Sequence, residues 1–278
     1  LNREAWSRRA RKMTGILTVL LLVAAAGLAG YLIEMSLRQT QGSRFVPVLA
    51  LGLIASVFLA QQSLYRHVAR VRSAFADGGL GAAREAVSMI VGRNPDSLDE
   101  SGVARAAIES CAENFSDGVV APAFWLALLG LPGLIIYKAI NTADSMIGHR
   151  TPRHRDFGWA AARLDDVLNI FPARLAGFLV GLAAPVARGS IVASLKTMWR
   201  DARKHRSPNA GWPESAMAGA LGIALSGPRR YGEAIVDDPF LNADARKDAT
   251  PDDIGRALKV LVAACALEFA IYAALLLL

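Results

Sequence analysis

Carboxylates, amides and cations gather in four stretches in the middle of this chain, at spacings that an apolar helix bundle does not require. Glu109, Glu113 and Asp117 recur every four residues, with Asn114 beside them. On one helix they form a row of like charges that repel one another. Such a row is either a solvated acidic face or a seat for a cation or a phosphate-bound metal. It runs directly into the apolar 118–137 segment, where water is scarce. In 137–149, Lys138, Asn141 and Asp144, with Ser145, share a helical face at spacings of three and four. The lysine there either pairs with Asp144 or meets a phosphate. In 163–174, Asp165, Asp166 and Asn169 form a DDxxN array flanked by Arg163 and Arg174. An aspartate pair with a third oxygen ligand one turn away suits Mg²⁺, which takes carboxylates, waters and substrate phosphate oxygens.

The fourth stretch, KHRSPNAGWPE at 204–214, sets Ser207, Asn209 and Glu214 among cations and turn residues ahead of an apolar helix. It reads as an anion cradle or as a simple basic loop, and composition does not choose between them. Three acidic and amide arrays, each abutting an apolar segment, together point to a metal–phosphate site at a membrane surface. His149 and His154 lie five apart in a proline-containing stretch, a poor spacing for zinc on a helix. Neither GxxxxGK[ST] nor GxGxxG occurs, so a nucleotide would need another architecture than a P-loop or a Rossmann site.

The elements that must position these residues are helices. Met13–Ile33 and Phe45–Tyr65 are uncharged runs of 21 residues, enough at ~1.5 Å per residue to cross a hydrocarbon core of about 30 Å. The third candidate, 118–137, carries Pro122 and the Leu-Pro-Gly step at 131–133 and is expected to dip in and return or lie buried rather than cross; the fourth, 260–278, contains Glu268, expected to be protonated, paired or turned to the bundle interior, with a structural pairing favoured. The apolar stretches 175–187 and 215–228 are short for a span and are expected to be buried, interfacial or re-entrant. Residues 80–93 are amphipathic at helical spacing, a further helix is expected from Ser101 to Asn114 after a cap region at 96–101, and 237–253 reads as a polar loop. No stretch alternates with period two, so no sheet is expected. The reading is an all-α polytopic membrane helix bundle, a single domain over 1–278, with re-entrant or buried short helices and a cytoplasm-facing polar cleft.

Composition agrees. Of 278 residues, 53% are hydrophobic and 20% charged, which excludes intrinsic disorder, and two cysteines exclude a disulfide scaffold. Cys111 and Cys265 sit among small apolar residues and read as packing. The net charge of +7 marks cytoplasmic loops in a membrane protein rather than a nucleic-acid footprint, and the clusters at 8–12 and 66–72 place the ends of the first two spans on the cytoplasmic side, with Arg38 and Arg44 in the opposite loop making the bias modest. The basic start is followed by too long an apolar run for a secretory signal, and a first residue other than Met predicts that the native chain begins earlier.

The blocks ESCAENFSDGVVAP (109–122), YKAINTADSMIG (137–148), FGWAAARLDDVLN (157–169) and SPNAGWPESAMAGALG (207–222) resemble the signatures of the CobD/CbiB family of cobalamin-biosynthesis membrane proteins, the adenosylcobinamide-phosphate synthases. The resemblance covers roughly residues 1–235. Family members carry an earlier apolar segment with Asp-Pro and His-Pro motifs, and the sequence begins after it. The resemblance implies ATP-dependent amide ligation at the inner membrane, in a site facing the cytoplasm. A propionate carboxylate of adenosylcobyric acid would be joined to (R)-1-aminopropan-2-ol or its O-phosphate, with Mg²⁺ and ATP required. On that basis Glu109, Glu113, Lys138, Asp144 and Arg163 are expected to be catalytic. Asn114, Asn141, Ser145, Arg174, Ser207, Asn209 and Glu214 are expected to bind substrate or phosphate, and Asp117, Asp165, Asp166 and Asn169 the metal. A soluble pathway protein or a second copy of the chain is a further possible partner. The competing readings are a transporter with Glu268 and the 109–117 carboxylates along an ion path, and a non-catalytic scaffold for pathway enzymes. Against the transporter, the acidic residues flank the apolar segments and no inverted repeat is visible.

Overall fold

A computed structural model describes residue 2 and residues 6–39, 45–91, 95–149, 151–231 and 234–275, with backbone alone at 229–231 and 234–236. Helices dominate, and among the described residues five helical stretches are long and apolar enough to cross a membrane. The chain divides into two compact units, residues 1–60 with 121–170, and residues 61–120 with 171–278.

The first unit contains α1 (Arg8–Arg38), α2 (Phe45–Phe58), α5 (Ala121–Ile147) and α6 (Trp159–Leu168). Ser7 caps α1 by accepting a hydrogen bond from the Ala10 amide. The expected 45–65 span is not one unbroken helix: α2 stops at Phe58, and the next helix starts at Gln61. No Gly or Pro marks that break. It falls where the chain passes from one unit to the other, so packing decides it rather than propensity.

α5 is two helical arms joined at Gly130, whose φ of 67° and ψ of −158° lie in a region that only glycine occupies readily. The chain reverses there. A Cβ on Gly133 would collide with the Trp125 carbonyl, although eight residues of straight helix would separate them by about 12 Å. Consistently, Trp125 Nε1 donates to the Leu168 carbonyl at 3.1 Å while Tyr137 donates to the neighbouring Asn169 at 3.1 Å. Gly130, Pro132 and Gly133 therefore build a tight helical hairpin rather than a straight span.

The second arm of that hairpin runs antiparallel to α1. Val19 packs with Ile140, the Gly27 face receives Ile136, and Gly30 lets Pro132 approach the backbone. Both ends of this pairing are pinned. At one end Arg11 pairs with Asp156 at 2.9 Å and the Lys12 ammonium lies 3.6 Å over the Trp159 ring. At the other the Glu34 carboxylate accepts from the Leu131 amide at 3.0 Å, capping the second arm from outside.

The second unit contains α3 (Gln61–Ser88), α4 (Glu100–Phe115) with a π turn (Ser116–Val120), α7 (Ile170–Ala183) with a 3₁₀ turn (Ala184–Ala187), α8 (Ile191–Asp201), α9 (Gly211–Leu221) and α10 (Pro251–Leu275). The expected helix at 101–114 is α4, begun by Asp99, whose side chain accepts from the Gly102 amide. The expected amphipathic helix at 80–93 is the second half of α3, which bends at Gly79 and ends at Ser88; residues 92–94 lie outside the described residues. Every residue of α9 is buried, in keeping with the short apolar 215–228 stretch, and most of α7 is buried as well.

The expectation of no sheet is corrected in one place. Leu225–Ser226 (β1) pairs antiparallel with Phe240–Leu241 (β4), and Arg229–Tyr231 (β2) with Ala234–Val236 (β3). Strands of two or three residues are too short to print a period-two pattern. The expected loop at 237–253 accordingly contains β4 and the first turn of α10. Glu268 faces the bundle interior at 4% exposure, but the expected pairing is not found at its Oε1, which lacks a hydrogen-bond partner among the described residues. Cys111 is buried and Cys265 partly so, both unbonded.

Candidate active site

The first unit brings two of the four polar stretches together. Lys138, Asn141, Asp144 and Ser145 occupy the last turns of α5, and α6 lies alongside with Arg163, Asp165 and Asp166, followed by Asn169. Asp165 is the hub. Its Oδ1 accepts from Asn141 Nδ2 at 3.3 Å and its Oδ2 from Asn169 Nδ2 at 3.0 Å. Asn169 is 1% exposed and committed at both ends, since its Oδ1 accepts from Tyr137. Asn169, expected as a metal ligand, braces and orients Asp165, and Tyr137, which the sequence does not single out, holds it in turn. Asn141 braces Asp165 likewise, while Ser145 folds back onto the Asn141 carbonyl at 2.9 Å. Arg163 reaches Asp166 at 3.5 Å along the open side of α6.

Electrostatics mark the same spot. Burial, the facing Asp144 carboxylate and then Asp166 push Asp165 up to about 6, against the two amide hydrogen bonds that favour its ionised form. Three carboxyl groups thus share a half-buried corner that would accept positive charge. Among the described residues, no three His, Cys, Asp or Glu side chains converge tightly enough to hold a metal by themselves. Mg²⁺ asks for less, since one or two carboxylates suffice when waters and phosphate oxygens complete the shell. The donor set fits that requirement and would not fit zinc.

The other two stretches lie in the second unit. α4 packs on α9 and on β1. Glu109, 7% exposed, accepts from the Ser226 amide at 2.7 Å and so holds a residue whose φ is 60°. Asn114 turns back to the Ser110 carbonyl at 2.9 Å, and Asp117 sits in the π turn, with Glu113 one turn before it. In the 204–214 stretch Arg174 donates to Asn209 at 3.2 Å and stacks 4.4 Å over the Trp212 ring, which meets Trp199 edge-on. The Ser207 hydroxyl accepts from the amides of Asn209 and Ala210 at 3.2 and 3.1 Å, so it spends its acceptor on the turn that starts α9. Glu214, 2% exposed, lies 3.7 Å from His205 Nε2. Sequence reasoning passed over His205 and Trp212; their only signal was to lie in or beside the KHR run before Gly-Trp-Pro.

The same unit carries a charge cluster with no expected role. Asp201, wholly buried, is ligated by Arg200 and Lys204, both at 2.7 Å, and by the Asn242 amide at 2.8 Å. Burial alone would raise it, but these partners hold it down at about 2. That arrangement ties α8 to the Asn242 turn.

Comparison with known proteins places these residues in a context. The CobD/CbiB protein family matches residues 1–261. A cobalamin biosynthesis protein CobD of Sinorhizobium fredii is 53% identical over 256 residues, covering 91% of this chain and 78% of that protein. That of Rhizobium meliloti is 50% identical over 282 residues, covering 99% and 84%, and that of Brucella melitensis 56% identical over 241 residues, covering 85% and 72%. No solved structure matches.

Proposed function

The chain belongs to the CobD/CbiB family of cobalamin biosynthesis, and from that premise we propose that it is the amide ligase that joins (R)-1-aminopropan-2-ol, or its O-phosphate, to a propionate carboxylate of adenosylcobyric acid at the expense of ATP. A carboxylate does not react with an amine until it is activated. The propionate oxygen attacks the γ-phosphorus of ATP, releasing ADP and leaving an acyl phosphate. The amine nitrogen then attacks the acyl carbon, inorganic phosphate leaves with the C–O bond electrons, and the ammonium proton passes to a base. Mg²⁺, bound with the nucleotide, would neutralise phosphate charge in that transfer.

The observation that carries this reading is Asp165, held by Asn141 and Asn169 beside Asp144 and Asp166. Such a corner serves a cation that arrives with phosphate and has little use in an inert anchor. Asp165 and Asp166, with Asp144, would hold the metal. Lys138 and Arg163, on the same two helices, would face phosphate oxygens. In the second unit Arg174 and Asn209 supply a cation and an amide held rigidly by Trp212, suited to an anionic part of a substrate. We further propose that the α5 hairpin enters the membrane and returns, so that its polar end at 138–147 faces the cytoplasm, on the side of the basic start of α1. The antiparallel run of its second arm along α1 supports this.

The test is direct. Purified chain in detergent, given adenosylcobyric acid, aminopropanol or its phosphate, and Mg-ATP, should form the corresponding cobinamide together with ADP and phosphate. Failure to form product with either amine, by a protein that remains folded, would leave the scaffold or transporter in its place.

A further inference from the structure

Away from the polar clusters, α3 and α10 pack side by side and leave a groove between them of about 440 Å³. Its walls are apolar along most of the length: Tyr65 from α3, and Leu258, Val262, Ala263 and Ala266 from α10. Val186 and Lys259 also line a second hollow of about 370 Å³, so the two adjoin at a shared mouth. Arg72, Arg188, Arg256 and Lys259 surround this mouth.

The charges at the mouth do not cancel. Against four cations stand two carboxylates, Asp252 and Asp253. Arg256 is spent on Asp253 at 3.0 Å and on the Ala187 carbonyl, and Arg72 reaches the exposed Asp252 only at 3.5 Å. Among the described residues, exposed Arg188 and Lys259 have no acidic partner. Arg188 adopts φ 59° as the left-handed cap that closes the Ala184–Ala187 turn.

Sequence position says where this mouth lies. Lys259 immediately precedes the apolar 260–278 run, Arg188 immediately follows the apolar 175–187 run, and Arg72 closes the basic cluster that follows the apolar 45–65 run. Three apolar segments therefore end at cations that meet in one place, which is the level of lipid headgroups on the basic side of the chain. Below them the groove continues between spans, beside the outward-facing Val262 and Phe269.

We propose that this groove is a binding site for an anionic phospholipid, its phosphate between Arg188, Lys259 and Arg72 and one acyl chain along Leu258, Val262 and Ala266. A zwitterionic lipid would bring a choline or ethanolamine cation into the same ring of positive charge, so the site selects for net negative headgroups such as phosphatidylglycerol.

The full chain, purified in a neutral detergent and titrated with phosphatidylglycerol or phosphatidylcholine under native mass spectrometry, tests this. Phosphatidylglycerol should be retained at least tenfold better. The double variant R188Q/K259Q, altered at two exposed positions, should lose about 25-fold in phosphatidylglycerol affinity, at roughly fivefold per cation, with its thermal unfolding in lipid-free detergent unchanged. Ala266→Trp, which fills the trough and spares the cations, should also weaken phosphatidylglycerol. Equal retention of the two lipids, or an unaltered preference in the double variant, overturns the site. So does displacement of the lipid by millimolar inorganic phosphate with no effect of Ala266→Trp, which would make it a free-anion site.

Discussion

At the scale of single residues, the candidate site is a problem of where negative charge is tolerated. Asp166→Asn removes a carboxylate without changing volume, at a position one-third exposed, so the fold should survive while ligation falls at least 100-fold at ordinary Mg²⁺. Near-wild-type turnover in the assay above would take Asp166 out of the metal site. Asp165 makes the opposite kind of statement, about stability. Its folded pKa of about 6 lies above the ordinary aspartate value of 3.8, so folding favours its protonated form. That contribution is present below about pH 4 and is lost as pH rises through 6. Thermal unfolding in detergent without Mg²⁺ should therefore show a loss of stability between pH 4 and 6.5 that Asp165→Asn flattens, and added Mg²⁺ should restore more at pH 7 than at pH 5. Asp201 has the reverse sign. Held at about 2, it stabilises above pH 4 and stops doing so only as pH falls towards 2. Asp201→Ala should cost about 1–3 kcal/mol at pH 7, since it strips charged hydrogen bonds from partners that remain partly in water.

At the scale of elements, the hairpin in α5 rests on one backbone conformation. Gly130→Ala should destabilise by about 1–3 kcal/mol from its φ and ψ alone, and more because the new Cβ would stand 2.5 Å from Glu34 Oε2. Gly79→Ala is the comparison, with nearly the same angles and open space around the Cβ, so only the backbone part of the cost should appear. Unfolding midpoints of the two variants, measured side by side, separate the collision from the strain. Pro122 and the Pro132-Gly133 step make a broken segment legible in the sequence, as Asp99 and the spacing after it make α4 legible. The break between α2 and α3 was not legible, because 45–65 is uniformly apolar up to Gln61. Within the candidate site, the DDxxN array was visible as a spacing, but its internal bracing was not. Nothing local tells that Asn169 is also held by Tyr137, 32 residues earlier, or that Glu109 is spent on an amide 117 residues away. Those are long-range hydrogen bonds, and a sequence pattern reports only neighbours along one helix.

At the scale of the whole molecule, the proposed orientation is open to a labelling experiment. Ser145 is exposed near the polar end of the hairpin, and Pro208 is exposed in the stretch before α9. Single cysteines at either position, in a background lacking Cys111 and Cys265, should react with a membrane-impermeant thiol reagent from the cytoplasmic side alone. Labelling of position 145 from outside intact cells would place the aspartate corner away from cytoplasmic ATP and would end the proposed mechanism. The composition foresaw a membrane protein without difficulty, since apolar length alone decides that. The division into two units, each assembled from separated stretches of chain, left no mark on composition or periodicity.

The double pinning of α1 bears on how the protein is made. Glu34 waits for an amide 97 residues later, and Arg11 for a carboxylate 145 residues later. While the ribosome is still delivering residues 61–120, α1 and α2 stand in the bilayer without the helices that cover them, and Glu34 has only Arg38 to answer it. A nascent chain stalled before residue 131 thus leaves the helix pair unclosed, and both ends can latch only after residue 156 has left the ribosome. The first unit is closed from the middle of the message, not from its start.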